Sequence, residues 1–170
     1  MKTLIPDQDR AQVINLSNNP EKAFRKELEV DVLARTIWGE ARGEGSAGMS
    51  GVAAVIMNRL CIAEHHEDGY WWGNTIIQIC QKPYQFSCWN VDDPNLSKLL
   101  AMDERDLYFT TAKRIARRYV YARGDDATGG ATHYHARGIT PSWAVREKPV
   151  AVIGNHIFYA LVDLPEHGGR

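Results

Sequence analysis

Between Asp31 and Leu60 lies the pattern that most constrains the fold: two apolar stripes at helical spacing, joined through a run of glycines. Leu33, Ile37 and Ala41 recur every fourth residue, and Asp31 stands where a helix N-cap is wanted. The sequence GEGSAGMSG then interrupts the stripe before Met49, Val52, Val55, Ile56 and Leu60 resume it, with Ser46 placed to cap the second helix. At about 100° per residue, Glu40 falls inside the first stripe, not on the polar face. A carboxylic acid there must be paired, neutralised or set at a cleft. Desolvation by apolar neighbours raises a glutamate pKa, which suits a general acid working near neutral pH. A purely structural pairing with Arg35, Arg42 or Arg59 is the competing reading.

Further along, Thr75 to Gln81 reads as a short helix stopped by Lys82-Pro83, and a long helix is expected from about Leu96 to Tyr121. Gly124 to Gly130 is a loop, and ATHYHA has strand composition. Pro149 to Leu161 reads as two short strands joined at Gly154-Asn155. Helices first and a small antiparallel sheet last define an α+β domain. The expected division is an arm over residues 1–30, a domain over 31–162 and a polar tail over 163–170, with LSNNP (Leu16 to Pro20) breaking any early helix.

Composition bounds the class. A chain of 170 residues with 44% hydrophobic and 24% charged residues can bury a core and is not a disordered polymer. Its 20 Lys+Arg against 21 Asp+Glu argue against a generically basic nucleic-acid binder, so no nucleic-acid partner is expected. The basic stripe Lys113, Arg114, Arg117, Arg118, Arg123 is an ordinary solvated face, or a weak attraction for anionic wall polymer. Apolar runs look short of a membrane span and no leader pattern opens the chain, so synthesis in the cytoplasm without stable membrane insertion is expected. Three cysteines read as reduced, packed thiols.

The stretch ARTIWGEARGEGSAGMSGVAAVIMNRL resembles the opening motif of the SleB-type cell wall hydrolases, the spore cortex-lytic enzymes and their phage and bacterial relatives. YQFSCW (Tyr84 to Trp89), DDATGGATHYHA (Asp125 to Ala136), Trp143 and IGNHIFY (Ile153 to Tyr159) follow in the family's order, so the likeness covers about residues 31 to 160. It implies a lysozyme-like, mainly helical scaffold that cleaves peptidoglycan between N-acetylmuramic acid and N-acetylglucosamine as a lytic transglycosylase. The single catalytic glutamate falls, by motif position, on Glu40. The resemblance further implies a monomeric phage or prophage endolysin, made in a host cytoplasm and acting on the wall, whose partner is the glycan strand.

One carboxyl group suffices for that reaction, first as acid and then as base. A muramidase hydrolysing the same bond differs only in that water attacks in place of the 6-hydroxyl, whereas an ordinary two-carboxylate glycosidase needs a partner about 5 to 9.5 Å away. Glu44, Asp125 and Asp126 are the candidates, and no catalytic role is assigned to Glu44. Gln85, Phe86, Tyr134, His135 and Trp143 are the expected substrate-binding residues, being aromatic faces and amides or imidazoles inside matched segments. For Phe86 and Tyr134 core packing competes; Trp71 and Trp72 are left between cleft and core. His133 and His135 share a strand face as zinc-binding pairs do, which keeps a zinc peptidase as an alternative. A wall-binding component without activity is another. The primary reading expects no metal and no cofactor, and reads His156 as a hydrogen-bonded structural residue beside a turn.

Overall fold

The computed structural model describes residues 19–162, so most of the expected arm and the 163–170 tail lie outside the described residues. Helix α1 (Pro20–Ala41) runs through a 3-10 turn (Arg42–Glu44) into α2 (Gly45–Glu64). Then come α3 (Ile76–Gln81), a 3-10 turn (Ser87–Trp89), α4 (Leu96–Ala101) and α5 (Leu107–Ala122). Strand β1 (His133–Ala136), a 3-10 turn (Ser142–Ala144), β2 (Ala151–Ile153) and β3 (His156–Tyr159) close the chain.

Helix α1 begins well ahead of Asp31. Asn19 is its N-cap, accepting from the Lys22 N–H at 3.0 Å, with Pro20 in the first turn and Glu21 near the positive helix end. The LSNNP signal therefore marks a helix start. Glu27 joins this first half to α5, taking two guanidinium hydrogen bonds from Arg117 at 2.7 Å each and the Tyr121 hydroxyl at 2.8 Å. Asp31 is interior to the helix and pairs with Arg35 at 2.7 Å.

Two other expectations are corrected. Ser46 does not cap α2: the chain enters from a turn already close to helical, Glu44 at φ −96°, and the helix starts at Gly45. The long helix expected over 96–121 is two helices. Arg35 donates to the Leu99 and Leu100 carbonyls at 2.6 and 3.1 Å, closing α4. Asp106 then caps α5 by accepting from the Phe109 N–H at 2.8 Å. The span Pro20–Glu64 is also long and apolar enough to cross a membrane by composition, contrary to the sequence expectation. Here it is two helices joined at Arg42–Glu44, whose apolar residues form the core.

Four of the five residues of the basic stripe on and just after α5 are in ion pairs. Lys113 meets Glu104, Arg117 meets Glu27, Arg118 meets Asp125, and Arg123 meets Glu64. These are surface pairs of small energetic weight, yet they offset much of the patch's charge.

Leu33, Ile37 and Trp38 of α1, Met49 and Ile56 of α2, and Phe109 of α5 fill the main core with Trp72 and Leu99. The sheet is antiparallel in the order β1-β3-β2, with His133 opposite Tyr159, Tyr134 opposite Phe158 and Ile153 opposite His156. Side chains alternate across a strand, so Tyr134, Ala136, His156 and Phe158 share the inner face. Phe158 lies on α2 at Gly51, where an added Cβ would come within 2.8 Å of its ring. His133, His135 and Tyr159 share the outer face.

Candidate active site

Glu40 occupies the last turn of α1, where the stripe that buries Ile37 and Ala41 runs out at the surface, and its side chain is half-buried. Two segments distant in sequence close on it. The Tyr134 hydroxyl from the inner sheet face donates to Glu40 Oε2 at 2.8 Å. The Cys88 N–H lies 3.5 Å from Oε1. Gly39 makes the second approach possible, because a Cβ there would sit 2.7 Å from Cys88 Cβ. Trp89 anchors the same turn, its indole N–H donating to Thr36 Oγ1 at 2.9 Å one turn back along α1.

Burial pushes the Tyr134 phenol well above its usual range, and the adjoining Glu40 carboxylate and the hydrogen bond to it push the same way. Burial, then Glu40, likewise raises the Cys88 thiol. Cys80 is pushed up to about 12, mainly by burial. Both groups beside Glu40 therefore stay protonated at neutral pH and act as donors, not as nucleophiles.

Beneath Tyr134 runs a buried cation. Arg59 donates to the Thr132 carbonyl at 2.8 Å and to Gln85 Oε1 at 2.6 Å, under the faces of Trp72 and Phe86. Burial draws its guanidinium down to about 10. Arg59 ties α2 to the strand that carries Tyr134, and it pairs with no carboxylate among the described residues.

The expected substrate-binding residues divide. Tyr134 touches Glu40. Gln85 spends its amide internally, its Nε2 donating to the Trp72 and Ile79 carbonyls at 2.8 Å each. Phe86 is 2% exposed and offers no face to a sugar. Both are thus fixed by the Arg59 cluster rather than turned to the groove. His135 stacks on Tyr159, and Trp143 packs edge-on against Tyr159, all on the outer sheet face and not on the Glu40 side. Trp72 is core.

The other carboxylates are engaged. Glu44 Oε2 accepts from the Asn155 N–H at 2.7 Å and so pins the β2–β3 hairpin tip to the turn after α1. Asp126 is pushed up by burial, but hydrogen bonds from Thr128, Asn58 and Gly130 outweigh this and hold it below the usual range as the clasp of the 124–130 loop. Asp125 pairs with Arg118. Among the described residues no three His, Cys, Asp or Glu side chains converge as a metal site. His135 uses both ring nitrogens on Ala136 O and Tyr159 Oη, and His133 Nδ1 meets Thr132 Oγ1. Helical spacing and motif position do not reveal Cys88, Thr36 and Arg59 as site builders, and nothing in YQFSCW says that a backbone N–H is the useful group.

A helical layer whose first long helix ends in a carboxylic acid, covered by a small sheet that supplies a phenol, defines an α+β protein of the SleB catalytic-domain class. The solved catalytic domain of the Bacillus cereus SleB protein has 26% identity and a TM-score of 0.57, with 77% of this chain and 88% of that one covered. The catalytic domain of a germination-specific lytic transglycosylase, SleB from Bacillus anthracis, has 27% identity and the same TM-score, with 77% and 93% covered. A spore cortex-lytic enzyme of Halalkalibacterium halodurans is 28% identical over 152 residues, 88% of this chain but 39% of that protein. The chain thus spans about two-fifths of the length of that relative. The Cell Wall Hydrolase family matches residues 43–159, and the chain belongs to it. Glu40 lies just ahead of that matched stretch.

Proposed function

We propose that this chain cleaves the glycan strand of peptidoglycan between N-acetylmuramic acid and N-acetylglucosamine, as a lytic transglycosylase with Glu40 as its one acid and base. The contact of Tyr134 with Glu40 is the observation that carries the reading. It joins the helix end and the sheet around one carboxyl group, while Glu44, Asp125 and Asp126 serve other bonds.

With Tyr134 donating to Oε2, the Glu40 proton is carried on Oε1 and passes to the glycosidic oxygen. The bond from that oxygen to muramoyl C1 breaks with its electron pair leaving on oxygen, and positive charge develops at C1. The substrate's own acetamido oxygen can shield that charge. Glu40, now a carboxylate, takes the proton of the muramoyl 6-hydroxyl as O6 bonds to C1. The products are a 1,6-anhydro end and a free 4-hydroxyl, no water is consumed, and Glu40 is again an acid.

The identity of the relatives with spore cortex-lytic enzymes and with a lytic transglycosylase domain supports this. We carry the monomeric state, cytoplasmic synthesis and use as an endolysin as parts of the proposal. Digestion of spore cortex beside vegetative sacculi separates cortex lysis from the endolysin setting. Mass spectrometry of the released muropeptides tests the reaction: anhydromuramoyl ends support it, and reducing muramic ends would make the chain a muramidase instead.

A further inference from the structure

Two cations converge on one buried ring near Glu40. Trp38 lies in the last turns of α1 and is 1% exposed, and the Arg42 guanidinium sits over its face at 4.3 Å. The Lys98 ammonium, carried by α4, lies over the same indole at 5.7 Å. The two charges are therefore no further apart than those distances laid end to end. An indole face attracts cations but carries no net charge, so it holds both without neutralising either.

No carboxylate neutralises them. Neither Arg42 nor Lys98 is in an ion pair among the described residues. The acids of the adjoining segments serve other donors. Asp106 accepts from Trp38 Nε1 at 3.3 Å and caps α5, Asp93 accepts from the Asn95 N–H at 2.7 Å, and Glu44 holds Asn155. Each cation alone reads as a basic residue at a helix end, and Arg42 Nη1 does donate to the Trp38 and Gly39 carbonyls at 3.5 and 3.3 Å. Those bonds fix the guanidinium and leave Nε and Nη2 without an acceptor among the described residues. That edge is the one that takes a carboxylate through two parallel hydrogen bonds.

Gly39 places the pair relative to the reacting group. Trp38 and Glu40 are its chain neighbours, about 100° to either side around the helix. A Cβ on Gly39 would meet Cys88, whose N–H faces Glu40, and Leu99, the neighbour of Lys98. The acid and the two cations thus border one glycine.

We infer that Arg42 and Lys98, set on the face of Trp38, form an anion site that takes carboxylates of the peptide stem carried by the muramoyl residue and so selects stem-bearing strands. The inference rests on the glycan-cleaving reading of Glu40. The site acts on binding and not on the bond being broken, so its loss raises KM and spares kcat. Salt screens such an attraction, so it weakens at high ionic strength.

The test measures fragment release from sacculi freed of phosphodiester polymers by hydrofluoric acid, before and after their stem carboxyls are converted to primary amides. Arg42→Gln and Lys98→Gln are each expected to raise the apparent KM on unamidated sacculi roughly three- to tenfold, with kcat within about twofold. Amidation raises the parent's KM by a similar factor and leaves the variants little further to lose. Arg42→Lys, which keeps the charge without the two-pronged edge, recovers part of the binding. Should Arg42→Gln melt well below the parent, Lys98→Gln decides, since its side chain is exposed. A ratio of variant to parent KM that is the same on amidated and unamidated sacculi overturns the inference, as does a defect seen only on walls that still carry phosphate. A parent that releases no fragments overturns the glycan-cleaving reading instead. Co-sedimentation of the parent and Lys98→Gln with the two kinds of sacculi then still decides whether these cations bind stem carboxylates.

Discussion

Tyr134 donates to Glu40 Oε2 at 2.8 Å, and burial together with the same carboxylate keeps the phenol protonated. It fixes one oxygen of the acid and leaves the other to exchange a proton with substrate. A hydrogen bond to a charged acceptor contributes about 1.5–3 kcal/mol. Tyr134→Phe should therefore lower kcat by roughly 10- to 100-fold while KM changes little, as initial rates on sacculi will report. A parental kcat would mean that the phenol is only packing. At this scale the sequence was informative where periodicity decides: Glu40 reads as a carboxyl on an apolar stripe because helical spacing fixes its face. Periodicity says nothing about whether a polar group is already used, so the sequence does not show that Gln85 spends its oxygen on Arg59 and its nitrogen on two carbonyls. His156 is the converse case: its buried Nδ1 has no hydrogen-bond partner among the described residues, and that leaves no mark in the sequence.

Among the elements, the β2–β3 hairpin matters most to the site because its tip is held by Glu44, one turn past Glu40. Gly154 makes that turn at φ +56°, and a Cβ there would lie 2.5 Å from Glu44 Oε2. Gly154→Ala is expected to destabilise the protein by roughly 1–3 kcal/mol, through strain in the left-handed region and displacement of Glu44. The urea midpoint measures it, and an unchanged midpoint would mean that the tip relaxes freely. This hairpin was readable from Gly-Asn between two apolar runs. The break between α4 and α5 was not, because no glycine or proline marks it. It is made by Asp106 as a cap and by Arg35 reaching the α4 carbonyls from another helix, and the second is a tertiary event.

Across the whole molecule, the sheet has an inner face that completes the site and an outer face closed by His133, His135, Tyr159 and Trp143. Strand composition alone does not say which parity faces α2, so the sequence does not show that Trp143 and His135 lie across the sheet from Glu40. The outer face carries a pH dependence of stability. Burial, with Arg59 adding to it, lowers His133 to about 4 from 6.5. The unfolded chain takes up that proton first, so this contribution is complete above pH 6.5 and is lost as pH falls from 6.5 towards 4. Chemical denaturation at pH 7.5 and 4.5 should show a fall in stability that His133→Gln makes shallower; equal falls in both proteins would assign the dependence to other groups.

The proposed chemistry rests on one carboxyl group. Glu40→Gln keeps the side chain's shape and its amide oxygen as an acceptor for Tyr134, and it removes the transferable proton. The measurement is the rate of muropeptide release from purified sacculi by this variant and by the parent, each with its melting temperature. The predicted result is a loss of at least about 100-fold with a melting temperature close to the parent's or above it. Release of anhydromuramoyl fragments by the folded variant at a rate near the parent's would contradict it.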